Sequence, residues 1–273
     1  MAVQEGFFRA GDGTELFYRF QPGAPGRKPL LLLHGHGEHS GRYLKFFARL
    51  EDLGHPIGIF DLRGCGRSGG PVVYISDFKD YLNDVTNFVD FLKTKLQAPP
   101  PVILFGHSLG GLIATAWAKE NPGAVSKLIL SSPLFGLPNA GPIKLIVKLL
   151  DPWASRLVLR NPVYPPSLTH DPGEVEKYRK DPLIRRRITV RLTREMLRWG
   201  AFFQEKPSAF PFPVYILAAG DERVVDLKAT RAFFERLTAP EKKLEIFPGF
   251  FHEIFNESGQ DQVFNKLRES LSR

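Results

Sequence analysis

The chain is poor in cysteine and contains no long apolar run, and each of these absences excludes a class of structure. Cys65 is the single cysteine among 273 residues, which excludes an internal disulfide and a cysteine-based metal site. No apolar run approaches the roughly 20 residues that a bilayer-spanning helix needs. Residues 1–6 show no basic stretch followed by an apolar core, so we expect no secretion signal and a cytoplasmic location.

Basic residues outnumber acidic ones, and this excess bears on which partners the chain could bind. The formal net charge is +8 at pH 7, and a basic surface can attract nucleic acid or anionic lipid. No nucleic-acid-binding signature accompanies the charge, so we expect no nucleic-acid partner. Apolar residues make up 43% of the chain and charged residues 24%, which favours an ordinary globular fold with one α/β core.

Short apolar runs alternate with amphipathic stretches along most of the chain. The alternation predicts strands followed by helices, and therefore a mostly parallel central sheet with helices on both faces. We predict a hairpin from strands 6–9 and 15–19, further strands at 30–33, 57–60, 101–105, 127–132, 214–217 and 243–247, and helices at 43–53, 77–96, 227–237 and 262–271.

The alternation stops between residues 136 and 206. This segment is rich in proline and in helical patterns, and we expect no strand in it. We interpret it as a helical cap inserted into an α/β core made of residues 1–135 and 207–273. Because such sheets bind ligands at the carboxyl ends of their strands, we place the cap over that edge.

A predicted strand, a sharp turn and a predicted helix surround Ser108. The turn reads Gly106-His107-Ser108-Leu109-Gly110, which is the Gly-x-Ser-x-Gly pattern of a nucleophile elbow. Glycines have no Cβ and let the strand and the helix approach closely. The serine hydroxyl is then presented at the positive end of the helix dipole, and we predict Ser108 as a catalytic nucleophile.

A serine nucleophile needs a base to remove its proton. Only two histidines follow Ser108 in the chain. His252 comes shortly after a predicted strand, on a loop at the carboxyl edge of the sheet, whereas His170 lies in the cap. We therefore predict His252 as the base.

The base needs a carboxylate to orient it, and in this kind of fold that residue lies between the serine and the histidine. Asp221 and Glu222 are adjacent carboxylates just after the strand at 214–217, and only one of them can point at His252. Asp226 follows shortly afterwards, and we expect it to cap the helix that begins at Leu227.

Negative charge that develops on a substrate carbonyl oxygen must be stabilised by N–H donors. The backbone N–H of Leu109, directly after the nucleophile, is one candidate. The other comes from the glycine-rich loop after residue 33, where we choose the N–H of His36. The side chains of His34, His36 and His39 also suggest a metal cluster, but no carboxylate or further ligand pattern supports one, and we expect no metal and no cofactor.

Five motifs occur in order along the chain. They are HGHGEHSGRY at 34–43, DLRGCGRS at 61–68, SDF at 76–78, GHSLGG at 106–111 and HEIFNE at 252–257. These motifs resemble those of the monoacylglycerol lipases and the related bacterial lysophospholipase-like α/β-hydrolases, and the resemblance runs from about residue 5 to residue 270. It implies an α/β-hydrolase fold with a cap, Ser108 as nucleophile, His252 as base, and the His36 and Leu109 amides as oxyanion hole.

The chain departs from the family at the predicted acid. The family usually has Asp-Arg-Ile/Leu-Val-Asp there, whereas residues 222–226 of this chain read Glu-Arg-Val-Val-Asp. Glu222 occupies the acid position and is our choice, with Asp221 as the alternative.

The resemblance implies a serine hydrolase that cleaves carboxylic esters of single acyl chains through an acyl-enzyme. Monoacylglycerol, cleaved to glycerol and fatty acid, is the expected substrate. A general carboxylesterase or a lysophospholipase with the same residues is the alternative. A non-catalytic ligand-binding protein of the same fold is a further alternative, which the intact serine, histidine and carboxylate disfavour.

The cap residues bear on contact with lipid. Four arginines at i, i+4, i+7 and i+11 predict one face of a helix, which could hold the cap against an anionic membrane surface; the alternative is a face that is solvated or paired with nearby glutamates. These arginines are Arg187, Arg191, Arg194 and Arg198. Apolar residues in and next to the cap suit a lipid substrate, namely Leu134, Phe135, Leu137, Ile143, Leu145, Ile146, Leu149 and Trp153.

Overall fold

The computed structural model describes residues 2–96, 101–161 and 163–272. The strands in these ranges are β1 Gln4–Arg9, β2 Glu15–Gln21, β3 Leu30–Leu33, β4 Ile57–Phe60, β5 Val102–His107, β6 Val125–Ser131, β7 Val158–Arg160, β8 Arg187–Thr189, β9 Ser208–Ala209, β10 Val214–Ala219, β11 Leu237–Thr238 and β12 Lys242–Phe247. Eight of them form one sheet in the order β1-β2-β4-β3-β5-β6-β10-β12. Within this eight-stranded sheet, only the β1–β2 hairpin and the β2–β4 pair are antiparallel, so the predicted mostly parallel sheet is confirmed.

Helices cover both faces of the sheet, as the alternation predicts. They are α1 Leu44–Leu50, α2 Lys79–Leu96, α3 Leu109–Glu120, α4 Gly141–Ala154, α5 Pro172–Lys180, α6 Val190–Glu205, α7 Leu227–Arg236 and α8 Gln260–Ser272. Asp226 caps α7 as expected, because its Oδ1 accepts the N–H of Lys228 at 2.8 Å. None of the helices described combines the length and apolar character that crossing a bilayer requires.

The core has two layers, one on each side of the sheet. Leu31 and Leu33 of β3 pack into the cluster that includes α2 and α3, whereas Leu30 and Leu32 pack into the cluster that includes α1 and α8. All four leucines are fully buried. A strand covered on both faces needs such a continuous apolar run, and its period of two sends neighbouring side chains to opposite layers.

The sheet topology brings three loops to one edge. Strands β5, β6, β10 and β12 are parallel neighbours in that order, so their carboxyl ends lie side by side. Ser108 follows β5, Glu222 follows β10 and His252 follows β12. These residues are far apart in the chain, and the parallel sheet is what makes them neighbours.

Two sequence predictions for the cap are wrong. The segment does contain strands, because β7 and β8 pair antiparallel as Val158 with Thr189 and Arg160 with Arg187. Arg187 therefore lies in a strand and does not share the face of α6 with the other three arginines. The helix begins only at Val190, since the side chain of Thr189 caps it by accepting the N–H of Leu192, and β-branched residues around this point favour a strand.

Candidate active site

Ser108 lies at the turn between β5 and α3, with backbone angles of φ 52° and ψ −117°. A positive φ is costly for a residue with a Cβ and persists only where the surroundings enforce it. Here a Cβ on Gly110 would lie 2.2 Å from the Leu33 carbonyl oxygen, and one on Gly106 would lie 2.3 Å from the Gly110 carbonyl oxygen. The two glycines allow the strand and helix to press together, and this packing holds the serine in its strained conformation.

Glu222 and His252 form a buried hydrogen-bonded pair. The Nδ1–H of His252 donates to Glu222 Oε2 at 2.8 Å, and both side chains are almost fully buried. The other carboxylate oxygen, Oε1, accepts the backbone N–H groups of Val224 at 2.8 Å and Val225 at 3.2 Å. With both oxygens bound, the carboxylate has little freedom to turn away from the histidine.

Asp221, the alternative acid, points elsewhere. It is exposed to solvent, and its backbone N–H donates to the Phe250 carbonyl at 3.0 Å. That bond ties the turn to the segment that leads into His252. Of the two adjacent carboxylates, the structure thus brings only Glu222 to the histidine.

The pair shifts the protonation of both partners in the direction that favours an ion pair. Burial alone lowers the pKa of His252, but the charge and hydrogen bond of Glu222 outweigh it, and the net pKa is raised above 6.5. Burial likewise raises the pKa of Glu222, but His252 and the two backbone N–H donors outweigh it and the net pKa is lowered. Glu222 therefore stays ionised at neutral pH and favours the protonated form of His252.

The ring of His252 lies beside the elbow. Its centroid is 4.8 Å from that of His107, the residue before Ser108. Burial lowers the pKa of His107 to about 3, so this neighbour is uncharged at neutral pH. Within the described residues, Ser108 Oγ and His252 are not hydrogen-bonded to each other; bonds of this type often tighten only when substrate is present.

The glycine-rich loop after β3 passes against the nucleophile. A Cβ on Gly35 would lie 3.3 Å from the Cβ of Ser108. The N–H of His36 has no acceptor in the part of the chain that the structure describes. Leu109 is the first residue of α3, where an N–H has no intrahelical partner. Two uncommitted N–H donors are thus held on segments that adjoin Ser108.

The histidines of this loop each have a protein partner. Both ring nitrogens of His34 bind backbone groups. His36 Nε2 lies 3.0 Å from the Arg187 carbonyl oxygen, and His39 Nε2 lies 2.8 Å from Asp181 Oδ2. Among the described residues, no three histidine, cysteine or acidic side chains are grouped to hold a metal ion.

The sequence analysis missed a buried network around Arg42. Its Nε donates to Glu38 Oε2 at 3.1 Å and its Nη2 donates to Glu253 Oε2 at 2.5 Å. Tyr178 of the cap helix α5 lies against the guanidinium, with 5.0 Å between that group and the ring centre. Arg42 thus joins the glycine-rich loop, the His252 loop and the cap. The four-residue spacing of Glu38 and Arg42 was the available signal.

The arginines of α6 are paired within the chain. Asp151 is buried, and its two oxygens accept Arg191 Nε and Arg194 Nη1, each at 2.7 Å. Arg198 binds Glu195 Oε2 at 2.6 Å. The alternative of a paired face is therefore the one found, and these arginines are not a free basic stripe.

The outer face of α4 is apolar and exposed. Trp153 is 91% exposed and Leu149 is 64% exposed, and Leu145 and Ile146 lie on the same open face. A cleft of about 240 Å³ lies between the start of α4, α6 and the segment after β6. Leu134, one of its lining residues, donates its N–H to the Ser108 carbonyl at 3.0 Å, but neither Ser108 nor His252 lines the cleft.

Comparison with known families matches most of this chain. A family model described as "Serine aminopeptidase, S33" matches residues 24–259. Monoglyceride lipase of Homo sapiens is 31% identical over 270 residues, which cover 96% of this chain and 88% of that protein. The uncharacterized protein YnbC of Escherichia coli (strain K12) is 31% identical over 98% of this chain, which spans 47% of the length of YnbC.

Solved structures give the same picture. The crystal structure of Paleococcus ferrophilus monoacylglycerol lipase has a TM-score of 0.86 to this chain and 27% sequence identity. The match covers 94% of this chain and 98% of the other. This chain is therefore similar to monoacylglycerol lipases in both sequence and fold.

Proposed function

Because this chain belongs to the α/β-hydrolase family described as "Serine aminopeptidase, S33", we propose that it hydrolyses monoacylglycerols through Ser108, His252 and Glu222. Its similarity to monoacylglycerol lipases shows that it is a carboxylic ester hydrolase. The proposal adds the catalytic roles of these three residues and the identity of the substrate. The main support for the proposal is the buried pair of Glu222 and His252, in which Oε2 and Nδ1 are 2.8 Å apart. Beside this pair lies Ser108, whose backbone conformation is strained.

In the proposed acylation step, Ser108 Oγ attacks the ester carbonyl carbon and its proton passes to His252 Nε2. Because Nδ1–H of the ring donates to Glu222, Nε2 carries the lone pair that a base needs. Charge that develops on the carbonyl oxygen is stabilised by the N–H groups of His36 and Leu109. The imidazolium then donates its proton to the glycerol oxygen as the carbon–oxygen bond breaks.

Water completes the cycle by the same route. His252 removes a proton from a water molecule, whose oxygen attacks the acyl carbon and forms a second tetrahedral intermediate. The bond to Ser108 Oγ then breaks as the oxygen regains a proton from His252. The products are a free fatty acid and glycerol, and no cofactor is consumed.

The cap, residues 136–206, supports a substrate with one acyl chain. The cleft of about 240 Å³ near the start of α4 is lined by the polar side chains of Asn139, Lys144, Gln204 and Asp226 together with five large apolar residues. The apolar residues are Leu134, Phe135, Leu137, Met196 and Leu197. We place the acyl chain against them, since burial of methylene groups supplies about 0.8 kcal/mol each.

Fatty-acid release from a matched set of oleoyl lipids tests the substrate. We expect strong turnover of monooleoylglycerol, with much weaker turnover of dioleoylglycerol, trioleoylglycerol and a lysophosphatidylcholine, because one cleft accommodates one chain. Release is measured by fatty-acid titration or mass spectrometry against a blank that contains the Ser108→Ala protein.

Each alternative has its own signature in this assay. Equal or better turnover of the lysophospholipid would keep the mechanism and change the substrate to a phospholipid. Turnover limited to short soluble esters would indicate a general carboxylesterase. If no substrate gave release above the blank, the proposed hydrolysis would be wrong and a ligand-binding role would replace it.

We place contact with an anionic membrane on the exposed face of α4 rather than on the arginines of α6. Residues 141–160 contain a single acidic residue, Asp151, which is buried and neutralised by two arginines. Exposed Lys144 and Lys148 accompany the apolar face of this helix. An apolar face with flanking cations and no exposed acid suits the surface of an anionic bilayer.

Vesicle co-sedimentation tests this contact. Binding to vesicles that contain phosphatidylglycerol is expected to fall by about 10²- to 10³-fold in the double variant Leu149→Ser, Trp153→Ser, because about 2 kcal/mol of transfer free energy is lost for each large apolar side chain. Phe7→Ser is the matched control, since Phe7 is 55% exposed on the edge strand β1. Equal loss in both proteins, or no binding of the wild type at low salt, would contradict the proposal.

A further inference from the structure

The cap backbone packs directly on the glycine-rich loop beside the nucleophile. The N–H of Arg185 donates to the Gly37 carbonyl at 2.8 Å, and a Cβ on Gly37 would lie 2.4 Å from the Arg185 carbonyl oxygen. Gly37 also has a φ of +71°. Only glycine fits at this point, because it accepts both the close approach and the left-handed conformation. The loop and the cap are therefore in van der Waals contact, with no side chain between them.

The side chain of His36 adds a second bond across the same junction. Its Nε2 lies 3.0 Å from the carbonyl oxygen of Arg187, in the cap strand β8. A carbonyl can only accept, so Nε2 carries the proton and donates it. Burial lowers the pKa of His36 to about 4, which leaves the neutral ring with this one N–H at physiological pH. The only ring donor is thus committed to the cap.

The opposite side of the loop is held by the core. The N–H of Gly35 donates to Glu38 Oε1 at 3.1 Å, and Glu38 is fixed in turn by Arg42. His36 lies between Gly35, which is bonded to Glu38, and Gly37, which is bonded to Arg185. Its backbone N–H is the donor that has no acceptor among the described residues, so the geometry of the donor depends on bonds on both sides of it.

We propose that the His36 side chain is a positioning residue, which fixes the oxyanion loop to the cap strand β8 and so aligns the His36 N–H with the reacting carbonyl oxygen. The proposal rests on the proposed function, in which that N–H stabilises the tetrahedral intermediate. Its consequence is that the oxyanion hole is complete only while β8 is seated on the loop. The cap then contributes to the chemical step as well as to substrate binding.

Three replacements of His36 separate this role from others. Leucine removes the ring donor. Glutamine places an amide N–H close to the position of Nε2 and retains the bond to Arg187, whereas asparagine places its amide near Nδ1 and cannot reach that carbonyl. We expect His36→Leu and His36→Asn to lower kcat for monooleoylglycerol by about 10- to 100-fold with little change in KM, because a displaced oxyanion donor weakens only the transition state. His36→Gln should recover most of the activity.

Inhibition by a trifluoromethyl ketone distinguishes a displaced oxyanion donor from a general structural defect. Such a ketone forms a tetrahedral oxyanion on Ser108, so its inhibition constant should rise across the variants in proportion to the fall in kcat. Thr189→Val is the matched control, because it removes two other bonds of the same cap strand, one from Thr189 Oγ1 to the Val73 carbonyl at 2.8 Å and one from the Leu192 N–H to Thr189 Oγ1 at 3.3 Å. The control should keep kcat within about threefold, since no transition-state donor is disturbed.

Methyl oleate, which has no hydroxyl group, distinguishes positioning from substrate recognition. The buried Nδ1 of His36 has no partner among the described residues, and it could instead accept a glycerol hydroxyl. Positioning predicts equal losses on methyl oleate and monooleoylglycerol. Losses confined to the glyceride, rescue by asparagine but not glutamine, or full kcat in His36→Leu would each overturn the proposal. Failure of the proposed function would look different, since the wild type would then release no oleate above the Ser108→Ala blank.

Discussion

Replacing Ser108 by alanine is expected to lower kcat for ester hydrolysis on the order of 10⁵-fold. Without Oγ there is no acyl-enzyme, and the remaining donors can only assist a direct attack by water. Alanine has a Cβ like serine, so the strained φ of 52° and the surrounding packing are retained and stability should change little. The measurement is oleate release under saturating substrate, together with mass spectrometry after treatment with a fluorophosphonate.

Ser270→Ala provides the control for the Ser108 variant. Ser270 is also buried, and among the residues that the structure describes its hydroxyl binds only the Leu267 carbonyl of α8. This variant should keep kcat within a few-fold and should still be labelled by the fluorophosphonate at Ser108. A Ser108→Ala protein that retained a few per cent of the wild-type kcat would remove the serine from the mechanism.

Glu222→Gln is expected to lower kcat by about 10³- to 10⁴-fold, as loss of the triad carboxylate does in serine proteases. The amide cannot serve all its neighbours, because Glu222 accepts three N–H groups in the structure, from His252, Val224 and Val225. If the amide nitrogen faces His252, it holds the wrong tautomer. If it faces the backbone, two N–H groups lose their acceptor. Asp221→Asn should stay within about threefold, since its carboxylate is exposed and makes no contact with the histidine.

The pH profile provides an independent check on Glu222. His252 must be unprotonated to act as base, so kcat/KM should rise with pH through an apparent pKa above 6.5. Glu222 is the charge that raises this pKa, and Glu222→Gln should move the midpoint to lower pH. Asp221→Asn should leave the midpoint in place. The reverse ranking of the two variants would assign the acid to Asp221.

The fold could be predicted from the sequence where burial is unambiguous. Leu30 to Leu33 form a run that only a strand covered on both faces explains, and the structure places these residues at the centre of the sheet. The resemblance to monoacylglycerol lipases and the α/β-hydrolase fold are confirmed by the family match and by a structural neighbour with a TM-score of 0.86. In these regions local patterning and tertiary packing agree.

The cap could be predicted only in part, because its contacts are non-local. The spacing of Arg191 and Arg194 left open whether they form a free basic stripe or a paired face, because their partner Asp151 is about forty residues earlier in the chain. Strand β8 is three residues long and exists because β7 pairs with it, so its sequence carries little signal of its own. The role that we propose for the His36 ring likewise depends on a carbonyl 151 residues away.

The choice between Asp221 and Glu222 marks the limit of sequence reasoning at the site. Both residues follow the same strand, and both have the required charge. The bond from the Asp221 N–H to the Phe250 carbonyl sets the direction of the turn, and no local pattern encodes it. The resemblance of residues 222–226 to the family motif favours Glu222, and the geometry brings that residue to His252.

The contacts of Arg42 determine which segments of the molecule unfold together. One guanidinium holds residues 38, 178 and 253, which belong to the glycine-rich loop, the cap helix α5 and the His252 loop. Moving the His252 loop away would leave the buried Glu253 carboxylate without its cationic partner, at a cost of about 3–5 kcal/mol, and moving α5 away would remove Tyr178 from the guanidinium. The three segments therefore form one cooperative unit of local unfolding, and slow fluctuations that expose the amides of one should expose those of all three together.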